Sequence, residues 1–195
     1  MFYRVARRVV WVLAILLLPR KVHHKERIPE DGALIVCANH LSFTDPVFLG
    51  LTLRRQVHFI SKKELFDKPI LGWLLRKLDA FPVDREGKDL QAIRTCLSVL
   101  KQKEVLGIFP EGTRVKPGEK TDGKAGVSLI AKKSGAQILP ICINPKYGKF
   151  KLFCKTDLVV GHPFCFSDLG IEKDYEAASE EIMRRIYALG EEVAQ

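Results

Sequence analysis

The sequence lacks the motifs that mark several common classes of protein. It has five cysteines, an odd number, and no two of them have the C-x-x-C spacing of a zinc or redox site, so we expect no metal centre. It contains no zinc finger, no RNP sequence and no basic recognition helix, so nucleic acid is not an expected partner. The G-x-S-x-G elbow of serine hydrolases is also missing. The chain has 195 residues, the length of one domain with a small appendage.

The chain has no apolar run long enough to span a membrane as a helix. The first apolar run, Val9–Leu18, has only ten residues, whereas a helix that spans a membrane needs about 20. Arginine and lysine bracket it on both sides. Three interpretations are open: a monotopic membrane anchor, a buried core helix and a secretory signal peptide. The flanking cations disfavour a core helix, and the sequence P-R-K-V-H-H that follows lacks a small-residue cleavage site, so we favour the anchor.

Acidic residues are absent from the first 25 positions. This segment carries six basic residues, which is two thirds of the net charge of +9: Arg4, Arg7, Arg8, Arg20, Lys21 and Lys25. A nucleic-acid-binding protein would more often spread its basic residues over the folded domain. An anionic membrane surface is therefore the expected partner of residues 1–25, and residues 26–195 are expected to form the folded domain. The positive-inside tendency places this segment at the cytoplasmic face of the cell membrane, as a peripheral or monotopic anchor.

Apolar runs of strand length alternate with helical patterns over most of the chain. This alternation predicts an α/β fold with a mixed, mainly parallel sheet flanked by helices, preceded by an N-terminal membrane-associated helix. Asp45 is expected to cap the first helix of the domain, with Pro46 at its first position. The predicted strands are 33–37, 57–60, 80–83, 105–109 and 138–143, the predicted helices are 46–55, 68–78, 89–102, 124–133 and 175–193, and a hairpin is predicted from 151–154 and 158–161.

A histidine and an aspartate five residues apart follow the first predicted strand of the domain. They are His40 and Asp45 in the segment N-H-L-S-F-T-D. Open α/β sheets bind ligands beyond the carboxyl ends of their strands, where this loop would lie. A carboxylate that accepts the ring N–H of a histidine fixes its tautomer and suits it to general-base catalysis. Taken alone the spacing is weak, because Asp45 as a plain helix cap and His40 as a loop residue explain it equally well.

Three further segments have unusual sequences at predicted strand ends. F-P-E-G-T-R, residues 109–114, combines a flexible glycine with donors suited to phosphate. A-F-P-V-D-R, residues 80–85, ends a short strand in arginine. L-P-I, residues 139–141, places proline within an apolar strand, which indicates a sheet edge or a bulge.

Together and in this order, these four segments resemble the glycerolipid acyltransferase family, which includes the 1-acyl-glycerol-3-phosphate (lysophosphatidic acid) acyltransferases. The resemblance covers roughly residues 30–145 and rests on N-H-x₄-D, a block ending in arginine, F-P-E-G-T-R and a short apolar block around proline. The second block often begins with glycine in the family, and this chain has Asp79 there.

The resemblance implies roles for eight residues. His40 would take the hydroxyl proton of the acceptor and Asp45 would orient it. The acceptor would be bound by Arg85, Glu111, Gly112, Thr113 and Arg114. Lys62 matches a basic position often seen in such sequences and could add charge for the phosphate, although a solvated surface lysine is an equal alternative.

The resemblance also implies a reaction. A fatty acyl group would move from acyl-CoA or acyl carrier protein to the 2-hydroxyl of 1-acyl-glycerol-3-phosphate, giving phosphatidic acid without a cofactor. Within enzymes, the alternatives are transfer to glycerol 3-phosphate or to another lysophospholipid. From another class, a non-catalytic lipid-binding protein is possible, but the presence of both His40 and Asp45 argues against it.

Overall fold

The computed structural model of the protein describes residues 17–69, 72, 75, 80–83, 90–116, 118–146, 151 and 153–192. The predicted helix 68–78 falls mostly outside these residues. So do Arg85 and nearly all of the apolar run of the predicted membrane anchor.

Within the described residues, seven strands form one sheet in the order β1-β7-β6-β2-β5-β3-β4. Every strand except β1 is rich in apolar or β-branched residues, and five of the seven are short, with three to five residues. The strands are β1 (Arg20–His23), β2 (Leu34–Ala38), β3 (Val57–Lys62), β4 (Phe81–Val83), β5 (Val105–Ile108), β6 (Gln137–Pro145) and β7 (Thr156–Val160).

The sheet is mixed and mainly parallel, as predicted. Strands β2, β3, β4, β5 and β6 run in one direction, whereas β7 is antiparallel to β6 and β1 is parallel to β7. The carboxyl ends of β2 to β6 therefore lie at one edge of the sheet, which we call the upper edge. Thr156, the first residue of β7, pairs with Pro145 at the end of β6 and with Arg20 at the start of β1. The chain thus enters β1 at the upper edge.

Helices cover both faces of the sheet, and alternate strand residues supply two cores. In β2, Ile35 and Cys37 point to one core, while Leu34 and Val36 point to the other. Helices α3, α4 and α5 pack on the first face and α1 packs on the second. The helices are α1 (Asp45–Thr52), α2 (Lys63–Phe66), α3 (Leu90–Lys101), α4 (Gly126–Ser134) and α5 (Tyr175–Glu191).

The folded domain begins earlier than predicted. Arg20–His23, which the sequence assigned to the anchoring helix, form strand β1 and pair with β7. The Nε2 atom of His23 lies 2.7 Å from a carboxylate oxygen of Asp157 on β7, and Leu18 is already buried in the second core. The predicted boundary at residue 25 therefore falls after β1, and the described residues before it pack with the sheet. In the described part of the chain no helix is long and apolar enough to cross a bilayer.

The predicted hairpin between 151–154 and 158–161 is also wrong. Strand β7 pairs with β6 instead, because β6 runs on to Pro145 and takes the place of the expected partner. Phe153 adopts a left-handed backbone conformation with φ of 62°, far from the extended conformation of a strand. Its amide donates to the carbonyl of Leu17, so this turn lies beside the start of the described chain.

Pro140 lies in β6 just before the part of that strand that pairs with β7, which begins at Ile141, so one side of the strand is a local edge there. Ile138 exchanges two backbone hydrogen bonds with Phe164, and the carbonyl of Pro140 accepts from Gly161. The missing N–H of Pro140 therefore faces the short irregular stretch between Gly161 and Phe164, where no ladder bond is lost.

Candidate functional site

Asn39 fixes the point at which the chain leaves β2. Its side-chain amide donates to the carbonyl of Ile143 at 2.9 Å and accepts from the amide of Ile143 at 2.7 Å. The side chain thereby continues the pairing of β2 with β6 one step beyond Ala38. Because the side chain makes these bonds, the main chain is released to turn, and His40 comes to lie at the upper edge.

His40 and Asp45 form the pair that the sequence predicts. The Nδ1 atom of His40 lies 2.9 Å from Oδ2 of Asp45. The same oxygen accepts the backbone N–H groups of Leu41 at 2.7 Å and Ser42 at 2.6 Å. The Asp45 side chain is only 2% exposed and that of His40 14%. One buried oxygen therefore holds both the loop and the imidazole, and the ionised carboxylate places the ring proton on Nδ1.

The prediction that Asp45 caps the helix is wrong. The N-cap is Thr44, whose side chain makes no capping bond, and Asp45 is the first helical residue. Its carboxylate points back to the loop rather than forward into α1. Pro46 does lie at the start of the helix, as predicted. The carboxylate of Asp45 is thus bonded to the histidine and the loop, and α1 begins without a side-chain cap.

The ring and main chain of His40 are both held by the segment after β5. The imidazole stacks on Phe109, with 4.2 Å between ring centroids and 20° between planes. The carbonyl of His40 accepts from the amide of Val115 at 2.9 Å, and its own amide donates to Oε2 of Glu111 at 2.8 Å. The position of His40 is thus set by contacts to Asp45 on one side and to residues 109–115 on the other.

Glu111 is buried behind His40 and its contacts are to protein groups. The residue is 4% exposed; Oε2 accepts from His40, and Oε1 accepts the hydroxyl of Tyr187 at 2.8 Å. Burial raises the pKa of the Glu111 carboxyl, and these two hydrogen bonds partly oppose it. Glu111 was expected to bind the acceptor substrate, but in this structure both of its carboxylate oxygens are hydrogen-bonded to protein groups.

Gly112 adopts a conformation that other residues avoid. Its φ is 71°, and a Cβ atom at this position would lie 2.7 Å from Cε of Lys124. The glycine therefore lets the chain turn beneath a lysine side chain. Lys124 also donates its backbone N–H to the carbonyl of Pro110 at 2.9 Å, which fixes it against the segment. Lys124 brings a second cation to this loop, one that the sequence motifs did not indicate.

Thr113 and Arg114 are exposed at the upper edge next to His40. The guanidinium carbon of Arg114 lies 3.6 Å from the ring centroid of Phe43, in a cation–π contact. Phe43 belongs to the loop between His40 and Asp45, and 68% of it is exposed. The contact therefore joins the two predicted motifs directly and places a positive charge at the mouth of the site.

Lys62 lies at the end of a strand that shares this edge. Lys62 is the last residue of β3 and pairs with Val83, the last residue of β4. Arg85 follows Val83 by two positions and lies outside the described residues. The topology thus brings the ends of β3 and β4, with Lys62 and Val83, to the upper edge.

Tyr187 and Phe109 complete the site, and neither was predicted from the sequence. Phe109 directly precedes the P-E-G-T-R segment, and this position in the sequence could have indicated that its ring lies at the site. Tyr187 lies 76 residues from Glu111, on a helix whose apolar period predicted only packing. No cluster of histidine, cysteine and acidic side chains within the described residues could hold a metal ion.

Comparison with known proteins agrees with the geometry. Residues 19–144 match the model of the Acyltransferase family. A Bacillus subtilis protein named 1-acyl-sn-glycerol-3-phosphate acyltransferase is 35% identical over 182 residues, which cover 90% of each chain. A Streptococcus pneumoniae protein of the same name is 33% identical over 180 residues, or 89% of this chain and 67% of that one. The crystal structure of the 1-acyl-sn-glycerophosphate acyltransferase of Thermotoga maritima superimposes with a TM-score of 0.75 at 26% identity, over 98% of this chain and 81% of that one.

Proposed function

Because this chain belongs to the Acyltransferase family, we propose that it moves a fatty acyl group from a thioester to the 2-hydroxyl of 1-acyl-glycerol-3-phosphate, giving phosphatidic acid. One observation carries the proposal. The His40–Asp45 pair and the exposed Arg114 are joined at one edge of the sheet by the contact of Arg114 with Phe43. A proton acceptor next to a fixed cation is what a phosphate-bearing alcohol requires.

His40 acts as the general base in this proposal. With the Nδ1 proton held by Asp45, the Nε2 atom takes the proton of the acceptor hydroxyl as its oxygen attacks the thioester carbonyl. The carbon–sulfur bond then breaks, the thiolate leaves on its carrier, and the proton on Nε2 returns to sulfur or to solvent. The ionised Asp45 stabilises the imidazolium between these steps. The thioester is already activated, so no further cofactor is expected, and either acyl-CoA or acyl carrier protein can serve as co-substrate.

The acceptor phosphate is assigned to the cations around the upper edge. Arg114 is fixed by Phe43, and a guanidinium binds phosphate oxygens through two parallel hydrogen bonds. Lys124 lies beside Gly112 in the same loop. Thr113 offers a hydroxyl, and Arg85 would approach from the end of β4. Lys62 remains a candidate for the same phosphate from the end of β3.

Replacing Arg114 with alanine is expected to raise the KM for lysophosphatidate by about 10- to 100-fold, because a charge-assisted contact to phosphate contributes about 1.5–3 kcal/mol. The KM for the acyl donor should change less than about threefold, which corresponds to about 0.6 kcal/mol. Steady-state kinetics with each substrate varied in turn measure both. Arg85→Ala should behave in the same way if Arg85 also binds the phosphate.

Arg54→Ala is the matched control for these two variants. Arg54 is an exposed arginine that follows α1 at the opposite edge of the sheet, where it pairs with Glu30 at 3.1 Å. Its loss should leave both KM values unchanged. A rise in the donor KM on losing Arg114, with the acceptor KM unchanged, would assign Arg114 to the thioester substrate instead.

The choice of substrates is tested by one set of acyl-transfer assays. The purified protein is given lysophosphatidate, glycerol 3-phosphate or a zwitterionic lysophospholipid, each with acyl-CoA and with acyl-acyl carrier protein. The highest kcat/KM is expected with lysophosphatidate. A preference for glycerol 3-phosphate would keep the chemistry and change the acceptor, whereas no transfer with any acceptor would refute the proposed function.

The protein is proposed to work at the cytoplasmic face of the cell membrane, held there by its N-terminal segment. Large apolar side chains exposed at the upper edge include Leu17 at 36%, Phe43 at 68% and Phe153 at 69%. The N-terminal segment also joins the sheet at this edge, and it carries basic residues suited to anionic headgroups. An upper edge that faces the bilayer would let a membrane-bound lysophospholipid reach His40.

Deleting residues 1–16 is expected to move the protein toward the soluble fraction and to lower its rate on vesicles. This deletion leaves β1 intact, whereas a cut at residue 22 would remove most of it. Activity on a monomeric short-chain acceptor should fall much less, because His40 and its contacts lie in the folded domain. High salt should release the intact protein only partly, since screening weakens its charges but not its apolar contacts. A truncated protein that sediments with vesicles as fully as the intact one contradicts the anchor.

A further inference from the structure

Tyr187 on helix α5 reaches the site through Glu111, and the proposed mechanism does not use it. Its hydroxyl donates to Oε1 of Glu111 at 2.8 Å and accepts the backbone N–H of Thr121 at 3.3 Å. The other oxygen of Glu111 accepts the backbone N–H of His40, also at 2.8 Å. A single buried carboxylate thus connects helix α5 to the loop that follows β2.

The orientation of Tyr187 is fixed on both sides. Ile186 and Met183 on the same helix are buried in the core between α5 and the sheet, which sets the face that Tyr187 presents to Glu111. The Nζ atom of Lys120 lies 5.7 Å from the centroid of the tyrosine ring on the outer side. Phenylalanine would fill the same space but would leave Oε1 of Glu111 without this donor.

The charge on Glu111 depends on its donors. Burial raises the pKa of this carboxyl, and the Tyr187 hydroxyl is the strongest of the influences that lower it, ahead of the His40 amide. The charge of His40 also lowers the pKa of Glu111, whereas the charge of Asp45 raises it. Glu111 in turn raises the pKa of the neighbouring Cys142 thiol on β6. If Glu111 took up a proton, its bond to the His40 amide would weaken and a negative charge close to the imidazole would be lost.

We propose that Tyr187 is a positioning residue for His40 that acts through Glu111: its hydroxyl fixes the carboxylate that in turn fixes the main chain of His40. This inference rests on the proposed role of His40 as the base. It gives helix α5, which lies outside residues 19–144 matched to the family, a part in the reaction. The substrates do not contact Tyr187 in this scheme.

Tyr187→Phe is expected to lower kcat by about 10-fold, the size of one hydrogen bond to a charged group. The KM values of both substrates should change less than about twofold, since the phosphate and thioester contacts are untouched. The acid limb of the pH–kcat profile should move to higher pH, because Glu111 then takes up its proton at higher pH. A role in packing alone would lower the melting temperature without moving this limb.

Two further variants distinguish an effect carried by Glu111 from an effect of the tyrosine hydroxyl alone. Glu111→Gln keeps the shape and removes the charge, so it should lower kcat at least as much as Tyr187→Phe does. In the Glu111→Gln background, adding Tyr187→Phe should change kcat less than about twofold, because the two residues act as one unit. Tyr175→Phe, at the start of the same helix, where the ring packs near Phe166, should leave kcat unchanged.

The inference is overturned if folded Tyr187→Phe keeps the wild-type kcat and pH profile. It is equally overturned if Tyr187→Phe lowers kcat by the same factor in the Glu111→Gln background. Either result leaves the proposed function standing. By contrast, full turnover by His40→Ala would remove the proposed function itself, and the role of Tyr187 with it.

Discussion

Replacing His40 with alanine is expected to lower kcat by about 10²–10⁴ while the protein stays folded, because the base that takes the hydroxyl proton is lost. The fold should survive for a specific reason. Oδ2 of Asp45 would keep the N–H donors of Leu41 and Ser42, so the loop retains its anchor without the imidazole. The KM values should change little, since the cations assigned to the phosphate remain.

The measurement is single-turnover or steady-state acyl transfer by the purified variant, together with its melting temperature. His162→Ala is a suitable control, because His162 is exposed in the irregular stretch after β7. It should keep the wild-type rate. Turnover by His40→Ala close to that of the wild type would rule out His40 as the base.

Asp45→Asn is expected to lower kcat by about 10²-fold or more while leaving the loop in place. An asparagine can turn its oxygen toward the three N–H groups that Oδ2 now accepts, from His40, Leu41 and Ser42. The hydrogen bonds then persist and only the negative charge disappears. The loss therefore reports how much the carboxylate stabilises the imidazolium that forms during proton transfer.

Asp45→Ala provides the comparison, because it removes the acceptor as well as the charge. Two partly buried backbone N–H groups then lose their acceptor, and each unsatisfied group lowers the free energy of unfolding by about 1–3 kcal/mol. The alanine variant should therefore melt well below the asparagine variant, although both lose activity. If Asp45→Asn kept the wild-type kcat, the charge would have no catalytic part and Asp45 would only support the loop.

The sequence was sufficient to predict the centre of the sheet and the pair at its edge. The runs that form β2, β5 and β6 are almost wholly apolar because both faces of these strands are covered by helices. His40 and Asp45 are only five residues apart, so one loop brings them together, and their spacing carried the prediction. In both cases a pattern within a short stretch of sequence was enough for the prediction.

Strand β1 was missed because its sequence, R-K-V-H, has the composition of an exposed segment. It lies at the end of the sheet, and three of its four side chains remain partly exposed and the fourth exposed, so no apolar run marks it. What makes it a strand is its pairing with β7, more than 130 residues later in the chain. Such a contact has no signal within a local window of sequence.

The part played by Glu111 was also out of reach of the sequence. The family resemblance implied that Glu111 belongs to the acceptor site. The structure instead has both oxygens bonded to protein, one to His40 and one to a tyrosine 76 residues away. The hydrogen bond between Tyr187 and Glu111 depends on how helix α5 crosses the sheet. The spacing of apolar residues in that helix indicates only which of its faces is buried.

The entry of the chain into β1 has a consequence for how the protein would meet its substrate. Leu18 is buried and Arg20 already pairs with Thr156, so the folded domain starts within a residue or two of the proposed anchor. At about 3.5 Å per extended residue, the linker between the anchor and the folded domain spans roughly 10 Å at most. A protein held so closely cannot tumble away from its surface to collect a molecule from the bulk. Its turnover would then follow the density of lysophospholipid per unit area of bilayer, and the two-chain product would leave sideways, into the same leaflet.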